Sequence, residues 1–301
     1  GRAVVADPEV TELNQLYVAY TKDKTTVTVG RQRLVLDNAR FVGDVGWRQD
    51  MQTFDAVVVQ DKSFEKTTLT YAYLDRVLRV FSRRHPQGQW DAKSHLLNAS
   101  YAGWSGGTMT GYGYLLDFKN SAANSNATYG ASLAGSRPAA GGLTLSYRAE
   151  AAVQSEYGSS PLHYSADYVS LEAGLGNKTA TLALGHEVLG SDRGVGFKTP
   201  LATLHAYNGW ADLFLATPAA GLRDTYAKAT VALPQAVTLV AFHHEFKADT
   251  GGADFGRETD LQLTRKFGAR FTGVAKYADF RTDTPAYPKV RKFWLQVDFV
   301  F

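Results

Sequence analysis

RKFWLQVDFVF, residues 291–301, closes the chain and decides how the rest of the sequence is interpreted. Successive side chains of an extended strand point to opposite faces, so alternate residues share a face. One face of this strand is wholly apolar, with Phe293, Leu295, Val297, Phe299 and Phe301. The other face carries Trp294, Gln296, Asp298 and Val300. This pattern suits a strand in contact with lipid, or else a half-buried strand that closes a soluble β-sandwich.

The aromatic end of this strand favours the membrane interpretation. The sequence stops at Phe301, and no polar tail follows it. In this respect the segment resembles the C-terminal strand of Gram-negative outer-membrane barrels, whose last Phe is recognised by the barrel-insertion machinery. The resemblance implies that Phe301 is the residue through which this chain meets that machinery.

The composition excludes several classes of function. The formal net charge is only +3, so the positive field expected over the surface of a nucleic-acid-binding protein is missing. The chain has no cysteine, which excludes thiolate catalysis, disulfides and cysteine-based zinc sites. The content of 16 Tyr, 16 Phe, 5 Trp and 28 Gly is typical of β-barrels, although many soluble β-proteins share it.

Transmembrane helices are excluded, because no run of about 18 apolar residues occurs. A β-barrel is the membrane-spanning form that remains, since alternating outward and inward residues dilute the hydropathy of each strand. No signal peptide is visible at Gly1, and we expect an exported chain that is mature or trimmed further.

About fifteen strand-like segments of roughly 8–11 residues follow one another, each long enough to cross a bilayer at a tilt. The connections alternate between short turns such as TKDK, DKSF and GNK and long loops, of which the longest joins Gly190 to Asp224. Short turns on one side and long loops on the other are typical of outer-membrane barrels, and nothing makes connection length alternate in a soluble sandwich. We therefore predict an all-β fold, a transmembrane antiparallel up-and-down β-barrel with 15–16 strands in this chain, as a single domain over residues 1–301.

The odd strand count needs an explanation, because bacterial single-chain barrels have even counts with both termini in the periplasm. Either a weak strand lies between Gly190 and Asp224, or N-terminal strands are missing from this chain. We favour the second interpretation, since residues 1–11 look like the tail of an extracellular loop.

Basic side chains provide the candidate site. The first long loop contains Arg31, Arg33, Arg40 and Arg48, interspersed with Asp37, Asp44 and Asp50. Folded into a pore, such a loop would bring guanidinium groups to the carboxylates of a passing solute. Alternatively, the loop is solvated and its opposite charges pair among themselves. Arg148, Lys228 and Lys276 fall on the predicted lumen face of their strands, because a Lys or Arg that faces lipid costs about 2–4 kcal/mol at mid-depth.

No catalytic or metal site is predicted, and no cofactor. His243 and Glu245 share one face of a strand while His244 points away, so two ligands at most converge and a structural or rim role is favoured. Residues 249–254 resemble part of a calcium-binding loop but lack the terminal Glu of an EF-hand loop, which favours a polar hairpin loop. No nucleophile elbow, P-loop or dinucleotide-binding motif occurs.

Three stretches of the sequence resemble the alginate-export family of outer-membrane porins. They are ELNQLYVAY, GRQRLVLDNARFVGDVGWRQDMQTFDA and FKTPLATLHAYNGWADLFLATPAAGLRDTY. The resemblance implies an 18-stranded barrel in the complete protein, about three strands of which would precede this chain. It also implies an arginine-lined, electropositive constriction for an anionic uronate polymer such as alginate, with Arg31, Arg33, Arg40 and Arg48 as the matching positions. The slight net charge and the mixed acids and bases of the first loop leave the solute open.

The longest loop contains a hydrophobic segment between Pro200 and Pro218. Leu204, Tyr207, Ala211 and Leu215 lie there at roughly helical spacing. A short helical or irregular segment at this place would act as a gate in the barrel mouth. A folded extracellular cap with no role in transport is the alternative.

Taken together, these patterns predict a monomeric channel of the cell outer membrane, in contact with lipid, through which hydrophilic and anionic solutes diffuse passively. Barrels of 16 to 18 strands leave an aqueous lumen. Neither an enzymatic activity nor a nucleic-acid partner is expected. Two alternatives stay open at this point, a soluble β-rich carbohydrate-binding protein and an outer-membrane lipid hydrolase with a site at the barrel rim.

Overall fold

The computed structural model describes residues 9–282 and 284–300, and its regular secondary structure is almost entirely β. The strands are β1 Leu16–Lys22, β2 Thr25–Gln32, β3 Thr53–Asp61, β4 Thr67–Leu78, β5 Gln89–Trp104, β6 Gly107–Leu116, β7 Asn126–Pro138, β8 Thr144–Ser155, β9 Ser165–Gly176, β10 Ala180–Leu189, β11 Ser191–Asp192, β12 Val195–Gly196, β13 Leu222–Leu233, β14 Val237–Lys247, β15 Asp254–Phe267, β16 Phe271–Arg281 and β17 Val290–Phe299. Short 3₁₀ turns occupy Ala122–Asn124, Ala140–Gly142, Leu204–Ala206 and Pro234–Ala236. Within the described residues, no helix is both long and apolar enough to cross a membrane.

Fifteen of these strands form one sheet whose order follows the sequence, from β1 to β10 and then from β13 to β17. β11 and β12 pair only with each other. Successive partners are antiparallel, as in β16 and β17, where Ala275 lies opposite Leu295. The connections alternate between tight turns, such as residues 23–24 and 177–179, and long loops, such as residues 33–52 and 190–221. The predicted strand count and the predicted alternation of connections are confirmed.

Exposure alternates along the strands and distinguishes two faces of the sheet. One face, here called the exposed face, presents large apolar side chains; Leu295, Val18 and Val297 are 76%, 75% and 74% exposed. The opposite face, here called the covered face, is overlaid by segments of the long loops. Leu295 and Val297 lie on the apolar face predicted for the last strand, and no second sheet formed by the described residues packs on them. The predicted role of Phe301 lies outside the described residues.

The chain comprises two compact units. The first consists of Gly1–Leu133, Ala151–Asp167 and Phe197–Leu204, and the second of Ala134–Glu150, Tyr168–Gly196 and His205–Phe301. Each unit has its own loop layer on the covered face of its strands. Since exposed apolar side chains cannot stabilise the fold by packing within the protein, these loop layers supply much of the buried core.

Candidate functional site

In the first unit, residues 33–52 lie against the covered face of β5 and β6. The Phe41 ring contacts the rings of Tyr112 and Tyr114, with centroids 5.3 Å and 6.3 Å apart. The Asn98 side chain on β5 donates a hydrogen bond to Asp37, with Nδ2 and Oδ2 2.9 Å apart. The first arginine-containing loop, for which the sequence allowed an inward fold, therefore forms a layer packed against the covered face of β5 and β6.

A second segment, residues 197–203, binds to this loop through main-chain hydrogen bonds. Gly43 N donates to Leu201 O at 2.9 Å, and Thr203 N donates to Ala39 O at 3.0 Å. Gln52 joins the two segments, because its Nε2 donates both to Gly43 O at 2.8 Å and to Leu201 O at 3.0 Å. Gln52 is 3% exposed, so its amide replaces water at carbonyl groups that would otherwise be buried without a partner.

Three of the four arginines predicted in the first loop lie within this layer. Arg40 is 1% exposed, and its Nη1 donates a hydrogen bond to Thr199 Oγ1 at 3.3 Å. Arg33 forms an ion pair with Asp44, with Nε and Oδ2 2.8 Å apart. Arg48 stacks on its neighbour Trp47, 4.1 Å from the ring centroid.

Arg31 lies on the exposed face of β2, the face that also carries Val29. It is part of a row of alternating charges across β2 to β5: Arg31, Asp55, Arg76 and Asp91, joined by ion pairs of 2.8, 3.4 and 3.6 Å. Opposite charges in neighbouring strands stabilise a sheet by a few tenths of a kcal/mol to about 1 kcal/mol for each pair. The contacts of Arg31 thus lie in a balanced row at the loop end of the strands.

In the second unit, residues 205–214 are anchored on two carboxylates of β15. Trp210 N donates to Asp260 Oδ2 at 3.1 Å, and Ala211 N donates to Glu258 Oε1 at 2.6 Å. Both acids are almost fully buried, at 0% and 1% exposure. These two hydrogen bonds satisfy loop N–H groups that are buried away from water, so this pair of acids fixes the loop backbone.

Gly209 brings the loop backbone close to these acids. Its φ is +85°, a conformation that L side chains rarely adopt. A Cβ atom built on Gly209 would lie 2.5 Å from the Glu258 carboxylate. Glycine is therefore required at this position for two reasons, backbone conformation and space.

Further buried polar groups extend the anchor. Asn208 Nδ2 donates to Glu187 Oε2 at 2.6 Å and to Asp224 Oδ2 at 3.2 Å. On the other side of Asp224, His244 Nδ1 lies 2.9 Å from its Oδ1. Tyr168 OH donates to Glu187 Oε1 at 2.7 Å. The loop thus bridges acids from β10, β13 and β15.

The ends of this loop segment are held by basic side chains. Lys276 Nζ lies 2.8 Å from His205 Nε2, and an ammonium group can only donate, so Nε2 accepts. His205 Nδ1 then donates to Asp212 Oδ1 at 2.6 Å, and Lys292 Nζ donates to Asp212 Oδ2 at 2.9 Å. Burial by itself raises the pKa of Asp212, but its interactions with His205 and then with Lys292 outweigh burial, and the pKa lies below its ordinary value of 3.8.

Aromatic rings complete the anchor of residues 205–214. The Phe214 ring contacts Phe246, Phe255, Phe280 and Tyr287, with centroids between 4.6 and 6.0 Å apart. Lys276 Nζ lies 4.1 Å from the ring centroid of Trp210. Only Leu204–Ala206 is helical here, so the predicted hydrophobic segment adopts the irregular form of the two that the sequence allowed.

The other predicted cations lie on the covered face of the second unit. Arg148 pairs with Glu150, with Nη2 and Oε2 2.7 Å apart. Lys228 lies 5.3 Å from the ring centroid of Phe242 and is half-buried. Lys276 forms a hydrogen bond with His205 and a cation–ring contact with Trp210. The structure thus divides the predicted cations among three settings, which are the loop layer, the balanced row and the covered face.

In the His243-His244-Glu245 segment, the two faces of β14 differ as period two predicts. His244 is buried and bound to Asp224, whereas His243 and Glu245 are exposed on the other face of β14. Sequence reasoning missed the acids that bind the second loop. Their signal was the placement of Glu187, Asp224, Glu258 and Asp260 near the long-loop ends of neighbouring strands, on the face predicted to be inward.

The sequence and the fold both have known counterparts. Residues 2–155 match the model of the family described as alginate export. No curated protein matches the sequence.

Among solved structures, OccAB4 of Acinetobacter baumannii has a similar fold, with a TM-score of 0.76 and 12% identity over 94% of this chain and 73% of that one. OpdK of Pseudomonas aeruginosa, solved with vanillate, gives a TM-score of 0.74 and 15% identity over 94% of this chain and 76% of that one. OpdK is described as an outer membrane protein. The predicted all-β, antiparallel up-and-down barrel fold is confirmed.

Proposed function

The chain belongs to the alginate export family, and from that premise, which places it in the outer membrane, we propose that it is a monomeric channel for passive diffusion of hydrophilic, anionic solutes. The observation that carries the proposal is the contrast between the two faces of the sheet. Leu182, Leu184 and Leu295 are 59%, 64% and 76% exposed on one face, as lipid contact requires. The opposite face of the same strands carries charged side chains and bound loops.

Lys228 is the cation that we propose to meet the solute. It lies on the covered face of β13, and its ammonium nitrogen lies 5.3 Å from the ring centroid of Phe242. Arg148 is a second candidate, with its charge partly balanced by Glu150. A unit charge pair at 4 Å is worth about 4 kcal/mol at an effective permittivity of 20, and screening over about 8 Å restricts the effect to solutes that pass close by.

The solute class that we propose is a uronate oligosaccharide or polysaccharide, of which alginate is the example given by the family. Carboxylates at regular spacing on an extended chain would bind successive cations weakly enough to move on. Vanillate, the compound solved with OpdK, is a small carboxylate and serves as a second probe.

The proposal is tested by measuring reversal potentials of single channels in planar bilayers under a salt gradient. We expect the wild-type chain to prefer anions, and Lys228→Gln to lower the anion-to-cation permeability ratio about two- to fivefold. Lys178→Gln, the same change in a tight turn, is the matched control and should leave the ratio unchanged. Uronate oligomers should block the current at lower concentration than neutral dextran of equal length.

Other outcomes would reject the proposal. An unchanged permeability ratio in Lys228→Gln would remove Lys228 from the conduction path. Equal block by dextran and uronate would remove the anionic solute. Lipase activity without conductance would favour the outer-membrane hydrolase instead.

A further inference from the structure

The exposed face of β14 to β17 changes character at the ends that join the long loops. Cross-strand register divides this face into levels about 7 Å apart. Below the loop ends, the levels are apolar, with Leu261, Tyr277 and Phe293 aligned across three strands and Leu263, Ala275 and Leu295 below them. Phe293 and Leu295 are 65% and 76% exposed. This is the part of the face that meets acyl chains.

The two levels nearest the long loops are charged. Arg257 lies directly opposite Arg281, and Asp279 lies directly opposite Arg291. Glu245 of β14 lies opposite Arg257, and Lys289 immediately precedes β17. We call these six residues the rim cluster. It contains four cations and two carboxylates, and it lies entirely within the second unit.

The contacts within the rim cluster leave positive charge exposed. Asp279 is 9% exposed because two arginines cover it: Arg281 Nη2 lies 2.6 Å from one carboxylate oxygen, and Arg291 Nε lies 3.1 Å from the other. The two arginine side chains remain 59% and 70% exposed. With one carboxylate between two guanidinium groups, both groups keep N–H donors for another acceptor.

Arg257 and Arg281 place like charges opposite each other, which favours a further anion beside them. Like charges directly opposite each other destabilise an antiparallel pair. The row of Arg31, Asp55, Arg76 and Asp91 on the exposed face of the first unit shows the balanced alternative, in which each arginine has a carboxylate partner. Among the described residues of the rim cluster, the level of Arg281 and Lys289 holds three cations and one carboxylate, Glu245.

The rim cluster borders an open cavity. Asp279, Phe280, Arg281, Lys289 and Arg291 line an open cavity of about 460 Å³. Arginine forks and a lysine suit phosphate oxygens. The apolar levels continue directly from the cluster along β16 and β17, so a ligand with a phosphate at one end and acyl chains at the other would contact both.

We propose that the rim cluster binds the phosphate-bearing headgroup of a lipid in the outer leaflet of the outer membrane. The acyl chains of this lipid run along Tyr277, Phe293 and Leu295. The phosphate lies among Arg257, Arg281 and Arg291, with Lys289 at its outer side. The site rests on the membrane location of the chain and is independent of which solute the channel carries.

The test is native mass spectrometry of the purified full chain in detergent, titrated with diphosphoryl lipid A and with the same lipid after removal of its phosphates. We expect the phosphorylated lipid to bind about tenfold or more tightly than the dephosphorylated one. The triple variant Arg257→Gln, Arg281→Gln, Arg291→Gln should lose this difference. Arg265→Gln is the matched control, because Arg265 lies on the same face of β15 at the opposite end, and it should behave as wild type.

Folding of each variant is checked by heat-modifiable migration on gels. If the triple variant does not fold, Arg281→Gln alone replaces it, with an expected loss of about threefold in affinity for diphosphoryl lipid A. Equal affinity of wild type and variant for diphosphoryl lipid A would overturn the proposal. Equal affinity of the wild type for the phosphorylated and the dephosphorylated lipid would also overturn it. Displacement of the lipid by an equal concentration of inorganic phosphate would assign the site to the free ion and reject the lipid.

Discussion

Residues 39–45 of the first unit and residues 205–214 of the second are both bound to the covered face of their strands, but by different groups. The first segment is held by amide and carbonyl groups, with Gln52 as the buried link. The second is held by carboxylates, chiefly Glu258 and Asp260, and by two lysines. Neutral hydrogen bonds keep their strength at all pH values, whereas bonds to carboxylates depend on protonation. The amide links of the first layer are therefore insensitive to pH, whereas the second layer depends chiefly on acids whose hydrogen bonds respond to protonation.

The largest effect is expected from Gly209→Ala. The new Cβ would lie 2.5 Å from the Glu258 carboxylate, at a φ of +85°. Left-handed strain costs about 1–2 kcal/mol and overpacking about 1–3 kcal/mol. Together they offset a large fraction of the free energy that holds the segment on the strands. Hydrogen–deuterium exchange of the peptide covering residues 205–214 should rise by about two orders of magnitude, while exchange of residues 39–45 stays unchanged.

Gly194→Ala separates strain from steric conflict. Gly194 lies in the same long loop with a φ of +74°, but an added Cβ meets nothing within 4 Å. Its expected cost is only the backbone strain of about 1–2 kcal/mol. If the two variants exchanged alike, close approach to Glu258 would not be what fixes the second segment.

A smaller effect is expected from Gln52→Ala in the first unit. The change leaves Gly43 O and Leu201 O without their shared donor, at a cost of about 1–3 kcal/mol. Trypsin should then cleave after Arg40 or Arg48 about tenfold faster than in wild type. Gln49 lies in the same loop and is exposed, so Gln49→Ala should leave cleavage unchanged. Equal cleavage of both variants would mean that Gln52 does not link the two segments.

The contrast also explains what the sequence could predict. Alternation along a strand is a local signal, so the exposed positions of Leu295 and Val297 and the covered position of Lys276 followed from period two. The anchors are not local, because Lys292 meets Asp212 and Asp260 meets Trp210 over 80 and 50 residues of chain. Likewise, Arg31 looked like its neighbours in the first loop, and only strand register assigns it to the exposed face.

The smallest effect is a response of the second segment to acid. The folded pKa of Asp212 is depressed, so its contribution to stability is complete above the unfolded value of 3.8 and is lost as pH falls through the lower folded value. Amide exchange of residues 205–214, corrected for intrinsic rate, should therefore accelerate as pH falls below about 3.8. In Asp212→Asn this component should be absent, since the amide does not titrate. An acid response of equal size in both proteins would assign it to the other buried acids that touch the segment, which are Glu187, Asp224, Glu258 and Asp260.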